Sequence, residues 1–162
     1  MVRYKRLNLH DFKDVYKLQE IIYNDLEDKS WYRFNSESLL YTRLGTASSF
    51  AIGAYLNDEL IATGMLVVDK ELTDSICSVT DCNLGDIVLI LVKNEYRGIG
   101  LQKSLMTKLE HHALEYGFEY TGASVHPDNI YCRNNIIELG YTFDHTDILF
   151  EGLLREVYIK KL

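Results

Sequence analysis

Residues 86–117 narrow the possibilities more than any other part of the chain. Asp86-Ile87-Val88-Leu89-Ile90-Leu91-Val92 is an almost unbroken run of β-branched and aliphatic residues, the pattern of a strand buried on both faces. The loop Lys93–Ile99 follows, with glycines at 98 and 100. Leu101, Leu105, Leu109 and Ala113 then recur every four residues, with Met106 beside them and Gly117 where a helix stops. A strand feeding a glycine-bearing loop that opens directly into a helix aims several backbone N–H groups, and the positive end of the helix dipole, at one point. Such a turn can cradle an anion, and Arg97 adds a fork-shaped donor beside it. The plainer alternative is an ordinary strand–helix turn that happens to hold glycine.

Two familiar phosphate loops are excluded. A P-loop wants Lys-Ser/Thr directly after its last glycine, and neither Gly98 nor Gly100 is so followed. A Rossmann fingerprint would place a third glycine at 103, where Lys103 stands. Charge still favours an anion here. Lys93, Arg97, Lys103 and Lys108 outnumber Asp86 and Glu95 within residues 85–108, a local +2, while the whole chain carries -7 and its remainder therefore -9.

The rest of the 162 residues reads as a single α/β domain, with no repeat, low-complexity segment or Pro/Gly-rich linker. Residues 3–8 form an opening strand. Asp11–Leu26 carries apolar residues near helical spacing, and a second helix starts at the Ser36 cap. Ser49–Leu56 and Leu60–Val68 make a hairpin across Asn57-Asp58-Glu59. Residues 69–85 are polar and read as irregular. After the 101–117 helix, Phe118–Val125 is a strand, a helix runs from about Ile130 to Leu139, and Tyr141–Thr146 and Leu153–Lys160 form a terminal strand pair. The order is β-α-α-β-β-β-α-β-α-β-β, a mixed α/β fold with about seven strands.

Composition excludes whole classes of function. The acid excess, 24 Asp+Glu against 17 Lys+Arg, opposes nucleic-acid binding, which needs a basic surface. Cys77, Cys82 and Cys132 form neither a CxxC pair nor a zinc-finger spacing with histidine, and an odd count suits a reducing compartment; no metal is expected. No apolar run of membrane-spanning length exists, and no apolar stretch follows Met1–Arg6, so neither membrane insertion nor a signal peptide is expected and the default location is cytoplasmic. The adjacent His111 and His112 face different directions on a helix and make a poor metal site. His126 reads as a turn residue. No nucleophile elbow is present and Cys132 lacks an evident base, which disfavours covalent catalysis.

Arg97-Gly98-Ile99-Gly100-Leu101-Gln102 resembles the signature of the GNAT superfamily of N-acetyltransferases, Gln/Arg-x-x-Gly-x-Gly/Ala, in every place but the last, where Gln102 stands. His126-Pro127-Asp128-Asn129, then ten residues, then Gly140-Tyr141 is similar to a second segment of that family. With the order of elements, the resemblance covers roughly residues 1–147 and is strongest over 86–141. It implies a mostly antiparallel seven-stranded sheet flanked by about four helices, with the fourth and fifth strands splayed apart.

The resemblance also implies chemistry. Arg97, Gly98, Ile99, Gly100, Leu101 and Gln102 would hold the pyrophosphate of acetyl-CoA, the acyl donor. Leu91 and Val92 would offer backbone contacts to pantetheine, Leu91 also to the thioester oxygen as charge develops there. Asn129 would contact the donor near its sulfur, although a simple helix N-cap explains it equally well. Asp86 would be the general base for an amine acceptor, or else a strand-end carboxylate in solvent. The family tyrosine that protonates the leaving thiolate, seven residues after the asparagine, is here Ile136; Tyr131 and Tyr141 lie near the same helix. Aromatic residues between Tyr23 and Tyr41 are candidates to line the acceptor pocket. The acidic remainder of the chain suits a cationic amine through steering, and the terminal strands could form a homodimer edge. Two other readings stand beside direct acetyl transfer: a non-catalytic CoA-binding sensor module, and a nucleotide-binding domain.

Overall fold

The computed structural model describes residues 1–76 and 83–162; Cys77 and Cys82 lie outside them. Among the described residues, seven strands pair into one continuous sheet in the order β1-β2-β3-β4-β5-β7-β6. The strands are β1 (Arg3–Leu7), β2 (Phe50–Leu56), β3 (Glu59–Val67), β4 (Leu84–Val92), β5 (Tyr120–Val125), β6 (Thr142–Leu149) and β7 (Leu153–Lys161). Five α-helices accompany them: α1 (Phe12–Asp25), α2 (Glu37–Gly45), α3 (Lys70–Ile76), α4 (Leu101–Tyr116) and α5 (Ile130–Glu138). All neighbouring strands are antiparallel except β4 and β5.

Both faces of the sheet are covered, which explains the near-continuous apolar runs of β3 and β4. The α1 and α2 face buries Val15, Leu18, Leu40 and Leu89, and the opposite face packs α4 through Leu101, Leu105, Leu109 and Ala113. The β2–β3 turn is a two-residue loop with both Asn57 (φ 49°) and Asp58 (φ 65°) left-handed, the hairpin geometry whose twist matches the flanking strands.

The segment before β4 departs from the sequence reading. Residues 70–76, read as irregular, form α3, making five α-helices where about four were expected. Asp69 starts the helix: its Oδ1 accepts from the N–H groups of Glu71 (3.1 Å) and Leu72 (3.2 Å). Only Leu72 and Ile76 of this helix are buried, too few for a visible period. β4 also begins two residues earlier than read, at Leu84.

Two irregularities open the middle of the sheet. Thr63 faces Leu91 and Met65 faces Val88, so β4 carries one residue more than β3 between those pairs, a β-bulge. Leu89 sits in it with φ 55°, and the fully buried Thr63 hydroxyl donates to the Leu89 carbonyl at 2.9 Å. On the other side, β4 and β5 pair only at Leu84–Tyr120, Gly85–Thr121 and Asp86–Gly122. Beyond Asp86 the strands part, as the resemblance implied, while β5 stays paired to β7 through Val125.

Candidate functional site

A cleft of about 180 Å³ occupies that opening. It runs from the glycine loop and the start of α5, past Ile87–Val92 and Ala123–Val125, to the segment joining α1 and α2. Gly98 (φ 80°) and Gly100 (φ 85°) are both left-handed, a conformation that needs glycine, and nothing lies within 4 Å of where a Cβ would stand at either. Gly100 caps α4 without a side-chain acceptor, and the first helical bond is from Ser104 N–H to the Gly100 carbonyl at 3.0 Å. The N–H groups of Leu101, Gln102 and Lys103 are therefore left for a ligand or solvent.

Of the four basic residues in this stretch, Arg97 is the one that lines the cleft. Lys93 pairs with Glu59, Lys103 pairs with Glu138 at 2.7 Å, and Lys108 lies over the Tyr4 ring. Arg97 lines the cleft and has no ion-pair partner among the described residues. Gln102, the residue that departs from the family signature, ties α4 to α5: its Nε2 donates to Cys132 Sγ at 3.1 Å and its Oε1 accepts from Asn135 Nδ2 at 2.9 Å. Its side chain is thus engaged away from the loop. Burial pushes the Cys132 thiol up to about 11, against the lowering effect of the Gln102 bond.

Asn129 lines the cleft and also caps α5, its Oδ1 accepting from Cys132 N–H at 3.2 Å, so both readings of it coincide in one place. Ile136 lines the cleft one turn beyond Cys132 and offers no hydroxyl. Neither tyrosine nearby replaces it. Tyr131 is exposed, and the Tyr141 hydroxyl is buried against Thr121 Oγ1 at 2.9 Å.

Two expected residues change role. Lys93 N–H donates to the Ile61 carbonyl at 2.9 Å, so Lys93 and Leu91 turn their backbone groups towards β3. Val92, and Ile90 by the same alternation, turn theirs towards the gap. The Leu91 side chain packs in the α1–α2 core. Asp86 is fully buried beneath α3, outside the cleft lining. Its Oδ2 accepts from Asp69 N–H at 2.7 Å, its Oδ1 has no partner among the described residues, and burial pushes its carboxyl up to about 8. It is buried and not the solvent-exposed strand-end carboxylate of the alternative reading.

The other end of the cleft is built by the α1–α2 segment and β7. Trp31 and Tyr32 line it, as expected of the aromatics there, whereas Tyr23 packs on Phe34 and Tyr41 on Phe12. Trp31 stacks on His126 with centroids 5.8 Å apart. The buried Gln19 amide holds this segment in shape, with Oε1 accepting from Tyr32 Oη (2.7 Å) and Asn35 N–H (2.8 Å). Arg33, Arg43 and Arg155 complete the lining, a feature that sequence reading missed entirely.

The sequence pattern of the Acetyltransferase (GNAT) family matches residues 12–141. No curated protein matches the chain. Solved structures with the same fold include an N-acetyltransferase from Staphylococcus aureus Mu50 (18% identity, TM-score 0.77, covering 99% of this chain and 97% of that one). The PaiA N-acetyltransferase from Thermoplasma acidophilum, in complex with coenzyme A, is 15% identical with a TM-score of 0.74 over 100% and 99% of the two chains. The ribosomal-protein-S18-alanine N-acetyltransferase from Escherichia coli is 13% identical with a TM-score of 0.76 over 99% and 94%.

Proposed function

Because the chain belongs to the acetyltransferase (GNAT) family, whose members draw their acetyl group from acetyl-CoA, we propose that it acetylates a primary amine of a small molecule or peptide by direct attack within a ternary complex. One observation carries this reading: a single cleft joins the glycine loop to the α1–α2 segment through the gap between β4 and β5. A donor and an acceptor entering from opposite faces of the sheet would meet at that gap, which supplies the proximity acyl transfer needs.

Acetyl-CoA supplies an activated thioester; the chain supplies its surroundings. The free N–H groups at the start of α4 and the Arg97 guanidinium fit the pyrophosphate. The N–H groups of Val92 and Ile90 point into the gap and fit the thioester oxygen, where charge builds as the amine adds. Asn129 Oδ1 is committed to capping α5, which leaves its Nδ2 for the donor's sulfur end. Ile136 offers the thiolate no proton, so the thiolate leaves unaided or takes one from water.

A thermal-shift and thiol-release screen with acetyl-CoA and an amine library tests the proposal. Stabilisation by CoA, with thiol release that depends on the amine, is expected. CoA binding with no turnover of any amine would select the sensor module instead, and stabilisation by ATP or NAD but not by CoA would select the nucleotide-binding reading.

A further inference from the structure

Among the described residues, four arginines line the cleft and no carboxylate or histidine does. Arg97 belongs to the glycine loop. Arg33, Arg43 and Arg155 gather at the opposite end, although they are far apart in the chain. Arg33 Nη1 and Arg43 Nη2 share one acceptor, Asp69 Oδ2, at 2.8 and 3.1 Å. Arg155 has no ion-pair partner among the described residues, and Asp147, opposite it on β6, bonds Ser75 instead. Arg155 is 3% exposed, and its Nη1 donates to the carbonyls of Ser30 and Leu154, both at 2.8 Å. Its Nε and Nη2 have no partner among the described residues and are not sealed from the cleft.

Among the described residues, Asp69 is thus the one carboxylate within ion-pair distance of the three guanidinium groups. Burial favours the protonated form of Asp86, which weakens it as a counter-charge for Arg43. Arg33 lies close enough to disfavour the charge on both Arg43 and Arg155, behind the larger effect of burial. A desolvated cation without a counter-charge is costly. An anion arriving in the cleft would relieve it, and a guanidinium fork matches a planar carboxylate in particular. The apolar groups beside it, Ile22, Leu26, Trp31 and Phe150, leave room for an uncharged side chain.

On the acetyltransferase reading, we infer that the acceptor is an amine that also bears a carboxylate, of which an α-amino acid is the smallest example, and that Arg155 with Arg33 receives that carboxylate. This reverses the tilt towards a purely cationic acceptor. The acidic bulk of the chain acts at long range, whereas the cleft itself is positive and repels an ammonium that brings no anion. The same field lowers the affinity of a bound ammonium for its proton, so the amine is delivered in its neutral, nucleophilic form without a base lining the cleft.

Matched pairs of amines test the inference: phenylalanine, phenylalaninamide and phenethylamine, and leucine with isoamylamine. The phosphonate analogue of phenylalanine separates a carboxylate from an anion of another shape. CoA binding is first measured by calorimetry. In the wild type, kcat/KM for each amino acid is expected to exceed that of its carboxylate-free partner roughly ten- to a hundredfold, as for lost charge-assisted bonds. The ratio should fall towards one in Arg155→Met and more mildly in Arg33→Gln; a ratio is unmoved by a general loss of active protein. If Arg155→Met lacks a native near-UV spectrum, Arg33→Gln and the wild-type comparison with the amide decide. A wild-type ratio of one or less, or one that persists in folded variants, overturns the inference and leaves the acetyltransferase reading standing. Absence of CoA binding, or of turnover with every amine, overturns both.

Discussion

The Asp69 N–H donates to the Asp86 carboxylate at 2.7 Å, fastening the start of α3 to the buried middle of the sheet. The other Asp86 oxygen faces Gly122, where an added Cβ would stand 3.3 Å from it, and has no hydrogen-bond partner among the described residues. A carboxyl so placed binds its proton more tightly in the folded chain than in the unfolded one, where its ordinary value is 3.8. Folding therefore retains a proton that the unfolded chain releases, and stability falls as pH rises from about 4 to about 8. Asp86→Asn keeps the acceptor for Asp69 and removes the titration. The variant should be the more stable protein at pH 8, and denaturant titrations from pH 5 to 8 should differ from wild type by up to about 1.4 kcal/mol per pH unit. Its pH–rate profile should keep the wild-type shape. Loss of the acidic limb in Asp86→Asn would instead return Asp86 to the chemistry as a base.

Gly100→Ala places a Cβ in left-handed backbone at the mouth of the anion cradle. The backbone cost is about 1–2 kcal/mol, and the methyl group stands in space that is now open. KM for acetyl-CoA should rise roughly tenfold in steady-state kinetics, since one crowded or misaimed backbone donor costs about 1.4 kcal/mol or more. Arg97→Ala should raise it similarly, with a weaker dependence on salt than wild type has. An unchanged KM in both variants would remove the glycine loop from donor binding.

Gln102 joins α4 to α5 through Cys132 and Asn135. Gln102→Ala should cost about 1–2 kcal/mol, or roughly 2–6 °C in Tm for a chain of this size. A double-mutant cycle with Asn135→Ala should give a coupling of at least about 0.5 kcal/mol. Additive losses would mean that the bond between them does not hold the helices together.

Tyr141→Phe leaves the buried Thr121 hydroxyl without its partner and should lower stability by about 1–2 kcal/mol. Its turnover per folded molecule should stay near wild type, because the Tyr141 hydroxyl is outside the cleft lining. Tyr131→Phe, at an exposed position, should change neither. A tenfold or greater drop in kcat for either variant would identify the proton donor that Ile136 cannot be.

Local signals in the chain carried the parts of this structure that local chemistry builds. The β4 run, the two glycines and the four-residue period of α4 each act within a few residues, and all three were readable in place. The Asn129 cap was readable too, since it acts within one turn of its own helix. The direction of the Leu91 N–H was not readable, because sequence alone does not say to which neighbouring strand a residue turns its backbone. Helix α3 was invisible for a different reason: it rests on the Asp69 cap and two buried residues, with no apolar stripe. The arginine cluster lies beyond any sequence period. Residues 33, 43 and 155 meet only because β7 is inserted between β5 and β6, which brings Arg155 under the α1–α2 segment.

The three residue pairs that join β4 to β5 give the molecule a passage through its own middle. Most folds that bring two substrates face to face place them at a surface groove, or under a segment that has to swing shut. Here the doorway is written into the pairing of the backbone, which ends at Asp86 and Gly122. Its width is set by side chains such as Leu89 and Val125, so the length of acyl chain admitted could be retuned by substitution there while the chain's architecture stays as it is.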